Sequence, residues 1–303
     1  MKKITLKTLL LTAIASVVFT ACGTSSTVPI TGRKHTLLVS DQEVLSLSTQ
    51  QYGEFLKSAT LSTDATNSAL VKKVGQRLAT AVESYLKANG GEADLKNYAW
   101  EFNLVKDNQV NAFCMPGGKI VVYEGLLPVT QDETSLAIVL GHEIAHAVAK
   151  HSAEQMSKKM RQQYGTQILG QVVNKAVGST IGSIAAQAAQ VGFSFANLKY
   201  SRDNETEADH IGLIFAAMAG YDPQQAIPFW QRMSAQTGAS NRSEYLSDHP
   251  SDEARIAYLQ KVMPEALKYY TPPTTTTTTK KTTTKKTTTK KTTDIIRASK
   301  RNP

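Results

Sequence analysis

Thirteen residues, Leu140 to Ser152, read LGHEIAHAVAKHS and hold three of the chain's six histidines. His142 and His146 are four apart, so on a helix they share a face and their rings can converge on one point. Glu143 follows the first histidine, about a third of a turn round. The neighbours Leu136, Val139, Leu140, Ile144, Ala145 and Ala147 are apolar, which places the helix in a core. Two histidines and a glutamate without partners are costly in such surroundings, and a metal ion removes the conflict. The stretch therefore demands a fold in which a buried helix offers two metal ligands and other elements close around them.

The spacing is HExxH, two imidazole ligands with a carboxylate placed to act as a base beside the metal. With ordinary His and Glu frequencies, three fixed residues arise by accident in under about 1% of chains this long. One zinc per chain is expected, with a carboxylate as third ligand and one position left open. NETEADH offers Glu205, Glu207 and Asp209. On a helix Glu205 and Asp209 share a face while Glu207 points away. One of the pair could bind the metal while the other orients a ligand, and spacing does not rank them. A further class of zinc helix places a third histidine six residues after the second. Here that position is Ser152, and Ala149 stands at the required glycine. His151 is accordingly expected to be an exposed helix residue.

Organisation along the chain is uneven. Lys2, Lys3 and Lys7 precede an apolar run from Leu9 to Phe19, which reads as a secretory signal over residues 1–21. VVFTAC ends it and resembles a lipoprotein box with Cys22 as the lipidated residue, although Phe19 replaces the usual aliphatic residue. Gly23 in place of Asp points to an outer-membrane anchor facing the periplasm. With Cys22 lipidated, Cys114 has no disulfide partner and is expected to be a small buried residue. Residues 22–39 read as a tether, 40–270 as one domain, and the Thr/Lys-rich 271–303 as disordered. The net charge of +9 misleads. Residues 274–303 carry +8 and the leader +3, leaving −2 on residues 22–273, so nucleic-acid binding has no electrostatic basis. The basic tail suits contact with anionic envelope polymers.

Ser40 and Glu43 have capping-box spacing and predict a helix start. Leu70, Val74, Leu78, Val82 and Leu86 predict a second helix. Trp100, Phe102 and Leu104 alternate as in a strand, PGG marks a turn, and KIVVYEG has strand composition. A long helix is expected from Asp132 to Met160, with Thr130 and Glu133 as a capping pair. Residues 165–198, rich in Gly, Ala and Gln, predict a close-packed hairpin or a lid, with membrane contact as the minor alternative. A helix through ETEAD stops at Gly220, and a last helix follows HPSDEARI, with Pro250 in its first turn. Helices with a small sheet before the HExxH helix give an α+β class.

HEIAH followed by ETEAD (the ExxAD pattern) resembles the M-48 zinc metallopeptidases, the group of the HtpX, CAAX prenyl and Oma-type proteases. VNAFCMPGGKIVVYEGLL and LSDHPSDEARI are similar to that family's strand and His-Pro segments, and the resemblance covers residues 40–265. It implies a zincin-like fold, zinc on His142, His146 and Glu205, Glu143 as base, and Asp209 and Arg255 in support. His249 would stabilise an oxyanion or cap the zinc in a resting state. Asn111 and the strand around Gly118, Lys119, Ile120 and Val121 would form the edge on which a peptide lies. The lipobox and short body look most like the outer-membrane lipoprotein proteases. Polypeptides, misfolded outer-membrane proteins among them, are the implied substrates. A zinc-stabilised chaperone or scaffold is the alternative.

Overall fold

The computed structural model describes residues 24–164, 192–235, 249 and 253–272. At its centre are three strands: β3 (Glu101–Val105), β4 (Ala112–Met115) and β5 (Lys119–Tyr123). β3 runs parallel to β5 and β4 antiparallel to it, in the order β3-β5-β4. The PGG turn joins β4 to β5, with Gly117 and Gly118 at φ 88° and 80°, a region that side chains with a Cβ rarely enter. Successive residues face opposite ways. Phe102, Leu104, Ala112, Cys114, Ile120 and Val122 join one apolar cluster, while Val105, Phe113, Met115 and Val121 join a second.

This strand order corrects one expectation. The strand holding Lys119, Ile120 and Val121 is the central one, with Gly118 just before it, so its main-chain groups are used by neighbours on both sides. A peptide cannot add there. The outer strands are β3 and β4, and residues 60–62 lie against the outer side of β3. Asn111 precedes β4, accepting Tyr123 N–H on its carbonyl at 3.1 Å and Ala112 N–H on its side chain at 2.8 Å.

Helix α1 (Asp41–Ser58) starts with the expected capping box between Ser40 and Glu43. Helix α2 (Ala65–Ala88) buries Val74, Leu78, Val82 and Leu86 as its periodicity predicts. The long helix does not form as one piece. Helix α3 (Glu133–Val148) stops, Lys150 takes φ 58°, and α4 (His151–Tyr164) begins anew. Lys150 is held at the break by Asp41, 2.8 Å away. The cap of α3 is Asp132, accepting from Ser135 N–H, and not Thr130. Glu133 instead binds Lys73 and the Tyr221 hydroxyl, at 2.6 and 2.9 Å.

Helices α5 (Arg202–Met218), α6 (Ala226–Ala235) and α7 (Glu253–Ala266) complete the body. α5 crosses α3 where Gly141 and Gly212 meet, and a Cβ on either would lie within 2.8 Å of the other helix's backbone. Two glycines thus set how closely the HExxH helix approaches the ETEAD helix.

Residues 24–39, expected as part of a tether, pack on the body. β1 (Thr24–Thr27) and β2 (Lys34–Leu37) form an antiparallel hairpin. Val28 enters the first apolar cluster, and Leu37 and Val39 the second. The alternation of KHTL, with His35 and Leu37 buried, is the local reason. Cys22, Pro250, the residues 165–191 of the expected hairpin or lid, and the basic tail lie outside the described residues. No helix among the described residues is long and apolar enough to cross a membrane.

Candidate metal centre

Every residue of α3 from Ser135 to Val148 is buried, so the imidazoles of His142 and His146 meet only what the fold brings to them. The α3–α5 crossing brings Glu205. Its Oε2 lies 3.3 Å from His142 Nε2 and its Oε1 3.4 Å from His146 Nε2. His249 adds Nδ1, 3.2 Å from His142 Nε2 and 2.9 Å from Glu205 Oε2. The two helix imidazoles present Nε2 to each other at 3.0 Å. Among the described residues, these four form a group that could hold a metal ion, their donor atoms all within 4.8 Å of one another.

The donor set fits zinc. Tetrahedral zinc with bonds near 2.0–2.1 Å places its ligand atoms about 3.3–3.4 Å apart, and most of the contacts above are close to that. Glu205 Oε1 is buried and has no hydrogen-bond partner among the described residues, which is expensive unless a cation faces it. The electrostatics agree. Burial alone would lower His142, but the hydrogen bonds of Asp209 and Glu205 hold it at about 9. That pull on a proton is a pull on any cation. Burial drives His146 well below its ordinary value against the attraction of Glu205, keeping it in the neutral form that can ligate. Burial would raise Glu205, yet the imidazoles gathered around it hold its carboxyl well below the ordinary carboxylate range.

Glu143 is 2% exposed and its Oε1 lies 3.7 Å from His249 Nε2. Asp209 accepts from Arg255 at 2.5 Å and contacts His142 Nδ1 at 2.8 Å. The Arg255 guanidinium lies 3.4 Å from the centre of the Trp230 ring. Glu205 thus faces the donor cluster while Asp209 stands behind a histidine, an order that spacing alone left open.

Three residues escaped the sequence reading. His151 is fully buried, not exposed: its Nδ1 lies 2.9 Å from His146 Nδ1 and its Nε2 2.9 Å from Glu207. In an unbroken helix residues five apart diverge by about 140°, and the break at Lys150 turns His151 inward. Glu207 does point away from the donor cluster, but into protein, at 7% exposure. Its face also carries Ile211 and Ile214, a signal that was legible. Tyr200 stacks on His146 with ring centres 3.9 Å apart, and no local pattern marks it. Cys114 is buried as expected, and burial, with Glu143 nearby, raises its thiol.

A small sheet packed on a buried HExxH helix, with a carboxylate delivered by a second helix, defines a zincin-like metallopeptidase domain. The chain belongs to peptidase family M48, whose pattern matches residues 71–263. It is similar to the mitochondrial metalloendopeptidase OMA1 of Schizosaccharomyces pombe, 39% identical over 181 residues, 59% of this chain and 50% of that protein. The Homo sapiens mitochondrial metalloendopeptidase OMA1 is 32% identical over 247 residues, 79% of this chain and 46% of the relative. The beta-barrel assembly-enhancing protease of Yersinia pestis is 26% identical over 166 residues, 52% and 33% of the two chains. The chain spans half or less of the length of these relatives.

Proposed function

We propose that the protein is a zinc-dependent endopeptidase of the bacterial envelope, anchored through lipid on Cys22 to the outer membrane and acting on misfolded or stalled envelope proteins. The observation that carries the catalytic reading is the convergence of His142, His146 and Glu205 beside buried Glu143. A structural metal site has no use for a base at that position. When bound, zinc supplies an acidified water and a polarised carbonyl. Glu143 takes the proton at its carboxylate and delivers it to the leaving amine. Asp209 and Arg255 hold the His142 ring in register. An extended substrate adds to β4, one of the two outer strands, through main-chain hydrogen bonds. The similarity to a beta-barrel assembly-enhancing protease supports envelope protein quality control as the setting, and the basic tail suits anionic envelope polymers.

A second reading rests on His249. Its Nδ1 joins the other three donors, and four protein ligands leave no open position, as in a structural site. Either His249 must swing out for activity, or the zinc serves a chaperone or scaffold. The full chain in detergent decides this. Zinc content and cleavage of unfolded casein are measured for the native protein, Glu143→Gln and His249→Ala. The peptidase reading expects about one zinc in all three and cleavage lost in Glu143→Gln by a factor of about 10²–10⁴. Latency expects cleavage to rise in His249→Ala. Zinc in all three with no cleavage in any would sink the peptidase reading and leave the scaffold.

A further inference from the structure

We propose that His151, Glu207 and Arg33 form a positioning relay that fixes the His146 ring, making the docked N-terminal hairpin part of the metal site. This rests on the zinc-peptidase reading and assigns work to residues it does not use.

His146 turns Nε2 toward the donor cluster, so as a ligand it carries its proton on Nδ1. That N–H points at His151 Nδ1, 2.9 Å away. His151 must then accept on Nδ1 and keep its own proton on Nε2, which it donates to Glu207 Oε2 at 2.9 Å. One proton arrangement satisfies both rings. Glu207 is itself clamped: Arg33 donates to Oε2 through Nε at 2.7 Å, and the Thr31 hydroxyl donates to Oε1. Thr31 and Arg33 lie in the turn between β1 and β2. Arg33 also donates to Glu154 on α4 at 2.7 Å, which ties the turn to the helix that starts at His151. His142 has its own buttress in Asp209 and Arg255, and this relay is the counterpart for His146. Ring orientation by such partners sets ligand geometry and basicity. Metal binding and hairpin docking must therefore favour each other by the same free energy.

The test uses the full chain in detergent, stripped of metal and titrated with zinc against a chromophoric chelator. Native protein, His151→Leu, His151→Gln, Arg33→Ala and Arg33→Lys are compared, with circular dichroism reporting folding. His151→Leu is expected to weaken zinc binding about 10–100-fold, and His151→Gln, which retains an acceptor and a donor, to recover part of that loss. Arg33→Ala, on a side chain 38% exposed, is expected to weaken binding roughly 3–10-fold, with Arg33→Lys nearer native. Hydrogen exchange of residues 25–37 is expected to slow when zinc is added to native protein. Folded His151→Leu and Arg33→Ala that bind zinc within about twofold of native would overturn the relay and leave the peptidase reading intact. If His151→Leu does not fold, Arg33→Ala and the exchange data decide. Native protein that takes up no zinc overturns both readings.

Discussion

Gly141 and Gly212 meet backbone to backbone one residue before His142: a Cβ on Gly212 would stand 2.7 Å from Gly141 C and His142 N. Neither contact can yield by rotating a side chain, so an added methyl must push α3 and α5 apart. Gly212→Ala is expected to cost about 1–3 kcal/mol of stability and to separate Glu205 from the two imidazoles. Thermal unfolding and zinc titration would show both losses. A variant with native zinc affinity would mean that the crossing does not set the site.

Asp209 links His142 to Arg255 at 2.8 and 2.5 Å. Asp209→Asn keeps the volume and removes the charge. Zinc affinity is expected to fall about 10–100-fold, while secondary structure by circular dichroism stays unchanged. Affinity equal to native would assign Asp209 a purely structural role.

Metal removal should loosen the whole body, because the donors come from α3, from α5 and from His249 just before α7. Zinc at about 1,000 times its dissociation constant adds roughly 4 kcal/mol, or on the order of 10 °C in Tm for a domain this size. Scanning calorimetry with and without chelator measures it, and His142→Ala should abolish the difference. A Tm indifferent to chelator in native protein would contradict metal binding.

Acid should weaken the hairpin's attachment. Burial would raise Glu154, but hydrogen bonds from His35 and Arg33 hold it at about 2, below its ordinary 4.5. The unfolded chain therefore takes up this proton first as pH falls. The stabilisation is complete above about pH 5 and disappears between 4.5 and 2. Urea unfolding midpoints across pH 6 to 2.5 are expected to fall less steeply in Glu154→Gln than in native protein. Parallel curves would remove Glu154 as the cause.

Much of the site was legible because its key signals are local. HExxH marks two candidate ligands and a carboxylate by helical spacing alone, and the same spacing put Glu205 and Asp209 together on one face. The Ser40 capping box, the α2 periodicity and the PGG turn were equally readable, each depending on a few adjacent residues. His151 was misread because helix periodicity assumes an unbroken helix. The break at Lys150 is held by Asp41, more than a hundred residues earlier in the chain, and no window of sequence contains that contact.

The sequence by itself placed His142, Glu143 and His146 on one buried helix, where a cation is the expected partner, and pointed to a carboxylate of the ETEAD segment as their expected neighbour. Desolvation sets those expectations, and it acts on residue types wherever the chain goes. Only the tertiary structure decided that Glu205 faces the donors while Asp209 stands behind His142, since that depends on how α5 rotates against α3 at the Gly141–Gly212 crossing. It alone made β5 central and β3 and β4 the edges, because lateral strand order follows from long-range pairing. It alone also docked the hairpin so that Arg33 reaches Glu207 across 174 residues of sequence, a contact fixed by packing between distant segments.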